Sequence, residues 1–221
     1  MSKQDMLGSA LAEVAGPLKD FAGKLCGVEG EVWLTAFKKF LRKENPWEIP
    51  VESASPLRPS LLELVGTVSV PVTTEKFVVR ERFVINAGRK AAVTISYLGG
   101  NFREWFLGKT EEPMAETTLR CYMLHKASVD GPIIAELGGE RKAETYLAGI
   151  YALMALQPRG EKGVLLTNGY ANIFCVYDVN GVLRAVGVSW NAGVGGWGVG
   201  ASSVGDPGGW SGGDQFFSCN S

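Results

Sequence analysis

The sequence predicts an α+β protein, in which a small helical N-terminal region is followed by a larger domain built mainly on strands. Three observations carry that reading. Helical periodicity dominates up to Asn45-Pro46, β-branched runs and turn signals dominate beyond Ser60, and the last 37 residues are rich in glycine and punctuated by aromatic residues. At 221 residues the chain is long enough for one well-cored domain of about 150 residues plus an appendage. Its 46% hydrophobic content excludes wholesale disorder, and a net charge of −1 leaves no overall field to draw it onto nucleic acid or an anionic membrane. No run approaches the roughly 18 apolar residues of a membrane span. Residues 1–30 carry scattered charges where a secretory signal has an apolar core, so a soluble chain, cytoplasmic by default, is expected.

In residues 1–60, Leu7, Leu11, Val14, Leu18, Phe21 and Leu25 recur every three or four positions and mark one helical face. Pro17 interrupts that face. Because proline is accepted at a first helical position and not inside, a second short helix restarts at Gly16-Pro17. Val32, Trp33, Ala36, Phe37, Phe40 and Leu41 then form the apolar stripe of a stronger helix, with Lys38, Lys39, Arg42 and Lys43 on its solvated side. Asn45-Pro46 ends it, and Pro50, Pro56 and Pro59 keep the chain irregular, dividing the sequence into 1–60 and 61–221.

Residues 62–72, 77–85 and 93–97 read as strands. From Gly139 a helix follows, with Ala143, Tyr146, Leu147, Ile150, Tyr151 and Met154 on its buried side, until Pro158 and Gly160 stop it. Segments 170–177 and 182–190 flank Asp178-Val179-Asn180-Gly181, whose Asn-Gly suits a tight primed hairpin turn. Val186, Val188 and Trp190 alternate with Gly187 and Ser189. Trp197, Val199 and Ala201 alternate in the same way with Gly198, Gly200 and Ser202, so both strands point apolar residues inward and almost no side chain outward.

The final segment is the most informative. From Ala185 to Ser221 there is no Lys, Arg, Glu, His, Met, Leu, Ile, Thr or Tyr, and 11 of the 27 residues from Gly187 to Gly213 are glycine. Trp190, Trp197 and Trp210 nevertheless recur through it and Phe216-Phe217 close it, which marks a folded segment with buried anchors. Between the anchors sit Gly187, Ser189, Asn191, Ala192, Gly193, Val194, Gly198, Gly200, Ser202, Gly205, Gly208, Gly209, Ser211, Gly212, Gly213 and Cys219. Every residue type in this set is reached from an AAC codon by replacing one or both adenines, or neither.

Residues 163–174 (GVLLTNGYANIF) and 178–186 (DVNGVLRAV), with Trp190, Gly196-Trp197, Ser203-Val204, Asp206-Pro207, Trp210 and Phe217-Ser218, resemble the C-terminal end of diversity-generating retroelement variable proteins. The resemblance implies a C-type lectin fold of the kind shared with formylglycine-generating enzymes. It also implies that a reverse transcriptase copies a template repeat and mutates its adenines, so that positions in about 187–219 vary on a fixed backbone. On this resemblance the sixteen small residues are the variable ligand-binding positions, and Trp190, Trp197, Trp210 and Phe217 are scaffold anchors.

Other classes fit the residues less well. Formylglycine-generating enzymes use a closely spaced cysteine pair, whereas Cys26, Cys121, Cys175 and Cys219 lie 95, 54 and 44 residues apart. A calcium-dependent lectin needs about six to eight oxygen ligands, yet Asp206 and Asp214 are the only acidic residues after Asp178, and Asp206-Pro207 reads as a turn start. A glycine-rich nucleic-acid binder needs cations between its aromatics, and no Lys or Arg follows Arg184. His125 stands alone, without a nucleophile motif. The sequence therefore points to a protein that binds a protein or surface ligand, with no catalytic residue, metal ligand set or cofactor; ligand identity and oligomeric state are left open.

Overall fold

The computed structural model describes residues 19–28, 30–42, 60–88 and 90–219. The chain forms two compact units, Met1–Arg58 and Pro59–Ser221. In the first, α1 (19–25) and α2 (Gly30–Leu41) are helical. Phe21 and Phe37 meet at 4.6 Å between ring centroids, and the Lys24 ammonium lies 4.0 Å over the Trp33 ring. Every residue of α2 keeps some solvent contact, and Val32, Phe40 and Leu41 of its apolar stripe are exposed. The Leu7–Leu18 periodicity, the restart at Pro17, and Lys43 with the proline-rich stretch through Pro59 lie outside the described residues.

The second unit runs β1 (Leu62–Val70), β2 (Phe77–Val78), α3 (Val79–Arg82), β3 (Ile95–Leu98), α4 (Gly100–Phe106), β4 (Thr110–Glu111) and β5 (Thr117–Leu124). It continues with α5 (Asp130–Glu136), α6 (Glu140–Ala143), α7 (Leu147–Leu156), β6 (Asn172–Tyr177), β7 (Leu183–Asn191), β8 (Gly196–Ser203) and β9 (Gln215–Cys219). This is an α+β arrangement. Seven strands form one mixed sheet in the order β1-β5-β9-β6-β7-β8-β3, with β6–β9 and β3–β8 parallel and the other neighbours antiparallel. Strands β2 and β4 make a separate antiparallel pair.

The sheet separates two apolar clusters. On one face Phe174, Val186, Val188, Trp197, Val199 and Phe217 pack with side chains of α4 and α7, including Phe102, Phe106, Leu147 and Ile150. On the other face Ile173, Cys175, Ala185 and Phe216 pack with Ile133 and Ile134 of α5, Leu137 just after it and Ala143 of α6. Successive side chains of a strand point to opposite faces, so Ile173 and Phe174, like Phe216 and Phe217, enter different clusters. Burial on both sides explains why β6 (NIFCVY) is a nearly continuous apolar run.

Three elements differ from the sequence expectation. Only Phe77 and Val78 of 77–85 pair as a strand, and Val79–Arg82 makes one helical turn, closed by the Phe83 N–H on the Val79 carbonyl at 2.9 Å. A strand would aim Glu81 into the core beside Val79 and Phe83. A helical turn buries those two four residues apart and leaves Arg80, Glu81 and Arg82 in solvent.

The single helix expected from Gly139 is two, α6 and α7. Between them Thr145 donates both its N–H (2.7 Å) and its hydroxyl (3.0 Å) to the Cys175 carbonyl, tying the break to β6. The buried Glu111 carboxylate accepts the Leu147 and Ala148 N–H groups at 3.0 and 2.8 Å and so caps the start of α7, where negative charge is favoured. The β6–β7 connection is a five-residue loop, 178–182, between the paired Tyr177 and Leu183. It is organised by Asp178, whose Oδ1 accepts the Asn180 and Val182 N–H groups at 2.8 and 3.0 Å, with Gly181 at φ +73°.

Candidate ligand-binding face

Strands β7 and β8 pair so that small residues face small residues. Ala185 is opposite Ser202, Gly187 opposite Gly200, and Ser189 opposite Gly198. The intervening pairs, Val186 with Ala201, Val188 with Val199 and Trp190 with Trp197, point into the larger core. One face of the hairpin thus holds the fold, and the other is nearly bare backbone. The smaller cluster reaches only as far as Ala185, and Gly187, Ser189, Gly198, Gly200 and Ser202 remain half-exposed beyond it. Above them lies a groove of about 350 Å³, floored by these residues and bordered by Tyr97 and Trp210.

The anchors behind this face are well fixed. Trp197 is fully buried, donates its indole N–H to the Gln157 carbonyl at 2.9 Å, and meets Trp190 edge-on at 5.4 Å. Trp190 is half-buried against the larger core. Phe217 stacks on Phe174 at 4.4 Å. Trp210 is the exception in direction, for it packs against the smaller cluster on the open side, with Phe216 edge-on at 6.0 Å.

The sixteen small residues divide by surroundings. Gly187, Ser189, Gly198, Gly200 and Ser202 share the groove floor. A Cβ added at Gly187 or Gly198 would meet nothing closer than 3.8 Å, and one at Gly200 nothing within 4 Å. Asn191, Ala192, Gly193 and Val194 are exposed in the β7–β8 turn, held by the Gly193 N–H on Asn191 Oδ1 (3.0 Å) and the Gly195 N–H on the Asn191 carbonyl (2.9 Å). Gly205, Gly208, Gly209, Ser211, Gly212 and Gly213 belong to the loop before β9.

That loop has far less freedom than the floor. Gly205, Gly209 and Gly213 have φ of +95°, +60° and +100°, and a Cβ at Gly212 would lie 2.9 Å from the His125 carbonyl oxygen. Cys219 sits elsewhere again: on β9 opposite Leu119, half-buried against the larger core.

Aspartates shape the loop. Asp206 Oδ1 accepts the Gly208 N–H at 2.9 Å, making Asp206-Pro207 a turn start. Asp214 accepts the Ser211 and Ala171 N–H groups at 2.8 and 2.9 Å. Asp130, buried at the start of α5, accepts the Trp210 indole N–H at 2.7 Å and the Gly205 N–H at 3.3 Å. Sequence reasoning missed the roles of Asp130 and Tyr97. Neither stands in a motif, and each reaches the face only through chain folding.

The reactive side chains lie apart from the groove. Burial pushes the Cys175 thiol up to about 12, with Asp130 and Glu140 adding to the effect. It pushes Cys121 up to about 11 despite a hydrogen bond with Gln215. Cys219 is raised by burial and then by Glu144. These three thiols stay protonated at neutral pH and are poor nucleophiles. His125 Nε2 lies 3.4 Å from Glu63 on the surface. A second hollow, of about 320 Å³, is lined by Lys109, Glu111 and Tyr146, but both Glu111 oxygens are committed to the α7 cap.

Among the described residues, no three His, Cys, Asp or Glu gather as a metal-ligand group, and no helix is long and apolar enough to cross a membrane. The chain matches no known family, no curated protein and no solved structure.

Proposed function

We propose that this chain is a ligand-binding protein on a C-type-lectin-like scaffold, whose β7–β8 face and adjoining turn are diversified by retroelement mutagenesis to recognise a protein or surface ligand, without catalysis. The observation that carries this reading is the two-sided hairpin. Fully buried Val186, Val188, Trp197 and Val199 hold one side, while on the other the cross-strand pairs Gly187–Gly200 and Ser189–Gly198 have room for a Cβ at each glycine without a clash. Residues at such positions change specificity and leave folding energy nearly untouched. The raised thiols and the wide separation of the cysteines in sequence favour this reading over a formylglycine-generating type of enzyme.

Sequencing the DNA around the gene is the test. The expected result is a near-copy of the segment encoding the last 37 residues that differs only where it carries adenines, beside a reverse-transcriptase frame. If no near-copy exists, the face has one fixed specificity and the diversification reading falls.

A further inference from the structure

Both walls of the β7–β8 groove are aromatic, and the backbone that carries each is held by hydrogen bonds and strand pairing and not by the side chains of the floor. Tyr97 is supplied by β3, which pairs in parallel with β8. Its ring borders the Cβ sites of Gly198 and Gly99 at 4.0 and 3.8 Å, and the residue remains 58% exposed. Its position is set by the sheet ladder.

Trp210, on the opposite side, is held by its indole N–H on Asp130 and by two backbone hydrogen bonds exchanged with Ser128, at 2.8 and 3.1 Å. The outer edge of its ring stands 3.8 Å from the Cβ site of Gly187. Strands lie about 4.8 Å apart and β8 lies between β7 and β3, so the backbone strand beneath Trp210 and the one that carries Tyr97 are roughly 10 Å apart, with the small residues of β7 and β8 between the two rings.

The lining selects among ligands by chemistry. No Asp, Glu, Lys or Arg lines the groove, which disfavours a charged group that would lose its hydration there without a partner. A sugar ring can stack on an aromatic wall, but its hydroxyls need several directed partners, and the side-chain hydroxyls of the floor are only those of Ser189 and Ser202. A neutral ring-bearing side chain fits both constraints. Aromatic contacts also supply the concentrated binding energy that a glycine and serine floor lacks.

We propose that Tyr97 and Trp210 form a constant aromatic clamp for a neutral, ring-bearing side chain of a protein ligand, while the β7–β8 floor decides which ligand is admitted. This deepens the binding reading above and rests on it. Small floor residues leave both rings open to the ligand, whereas larger ones at Gly187 or Gly198, whose Cβ sites lie 3.8 and 4.0 Å from the Trp210 and Tyr97 rings, narrow the gap and so decide which ligand enters.

The test is an NMR titration of the isotopically labelled full-length chain with N-acetyl-L-phenylalaninamide. The Gly198 and Gly200 amides and the Trp210 indole N–H should shift saturably, with a Kd on the order of 1 mM for a ligand of that size. Tyr97→Ala should weaken binding at least tenfold at unchanged Tm, and Tyr97→Phe should restore it, because the wall uses the ring and not the hydroxyl.

Unchanged binding by Tyr97→Ala, a silent titration, or equal affinity for methyl α-glucopyranoside would each overturn the clamp. None of these outcomes bears on the template repeat, and a missing repeat removes the diversification reading whatever the titration shows.

Discussion

Replacing Trp197 by alanine deletes the largest fully buried side chain of the β7–β8 hairpin and separates the open face from its support. Removing a fully buried Trp ring costs about 3–5 kcal/mol through lost transfer energy and the cavity left behind. The Gln157 carbonyl that accepts the indole N–H also accepts the Gly160 N–H at 3.0 Å, so it is not orphaned and adds little. At about 2–4 °C per kcal/mol for a chain of this size, Tm should fall by roughly 10 °C. The control is Gly198→Tyr with Gly200→Arg, whose added atoms enter the open groove and should change stability by no more than about 0.5 kcal/mol. Urea denaturation followed by far-ultraviolet circular dichroism reads both. A cost below about 1 kcal/mol for Trp197→Ala, or of several kcal/mol for the double substitution, would refute the division of the hairpin into a fixed side and a tolerant one.

Two further outcomes follow from the loop geometry and the β6–β7 turn. Gly213→Ala and Gly212→Ala should each cost about 1–3 kcal/mol, the first through its φ of +100° and the second through a clash with the His125 carbonyl, whereas Gly200→Ala should be neutral or stabilising; thermal melts of the three variants check this. Burial raises the Asp178 carboxyl, but the Val182 and Asn180 N–H groups and the Arg184 guanidinium outweigh it and hold the pKa below its ordinary 3.8. A depressed folded-state pKa contributes stability that is present above about pH 4 and lost as pH falls through the folded value. Asp178→Asn should therefore be less stable than the parent at pH 7, by about 1–3 kcal/mol, with the gap narrowing near pH 3. Urea midpoints at the two pH values measure it, and a gap that stays constant would refute the assignment.

The open face presents its small residues from regular strands instead of from long loops. Each floor residue projects from a backbone ladder that is paired on both sides, since β7 lies between β6 and β8, and β8 between β7 and β3. The strands therefore hold their geometry when side chains change. The loop before β9 uses another device. Asp130, Asp206 and Asp214 fix its backbone through N–H groups, so Gly208 and Ser211 are carried on a loop whose shape is set by other residues.

What the sequence determined by itself was local. Alternation of Val186, Val188 and Trp190 with Gly187 and Ser189 requires only the period of a strand, and it identified the inward and outward sides of the hairpin correctly. Helical spacing likewise identified α2 as a helix, although Val32, Phe40 and Leu41 of its apolar stripe are exposed. Period alone failed at 77–85, where the choice between strand and helical turn rested on where Glu81 would point, and at Thr145, where a carbonyl of β6 breaks the helix.

The groove depended on contacts that no local pattern encodes. Tyr97 borders it because β3 joins β8 in parallel, and Trp210 borders it because a carboxylate on α5, 80 residues away, accepts its indole N–H. Topology also separated Gly200, which is open, from Gly212, which lies against the end of β5: two glycines alike in sequence context and unlike in what stands across from them. A residue's own strand sets which way it points, but only the packed chain decides what it meets there.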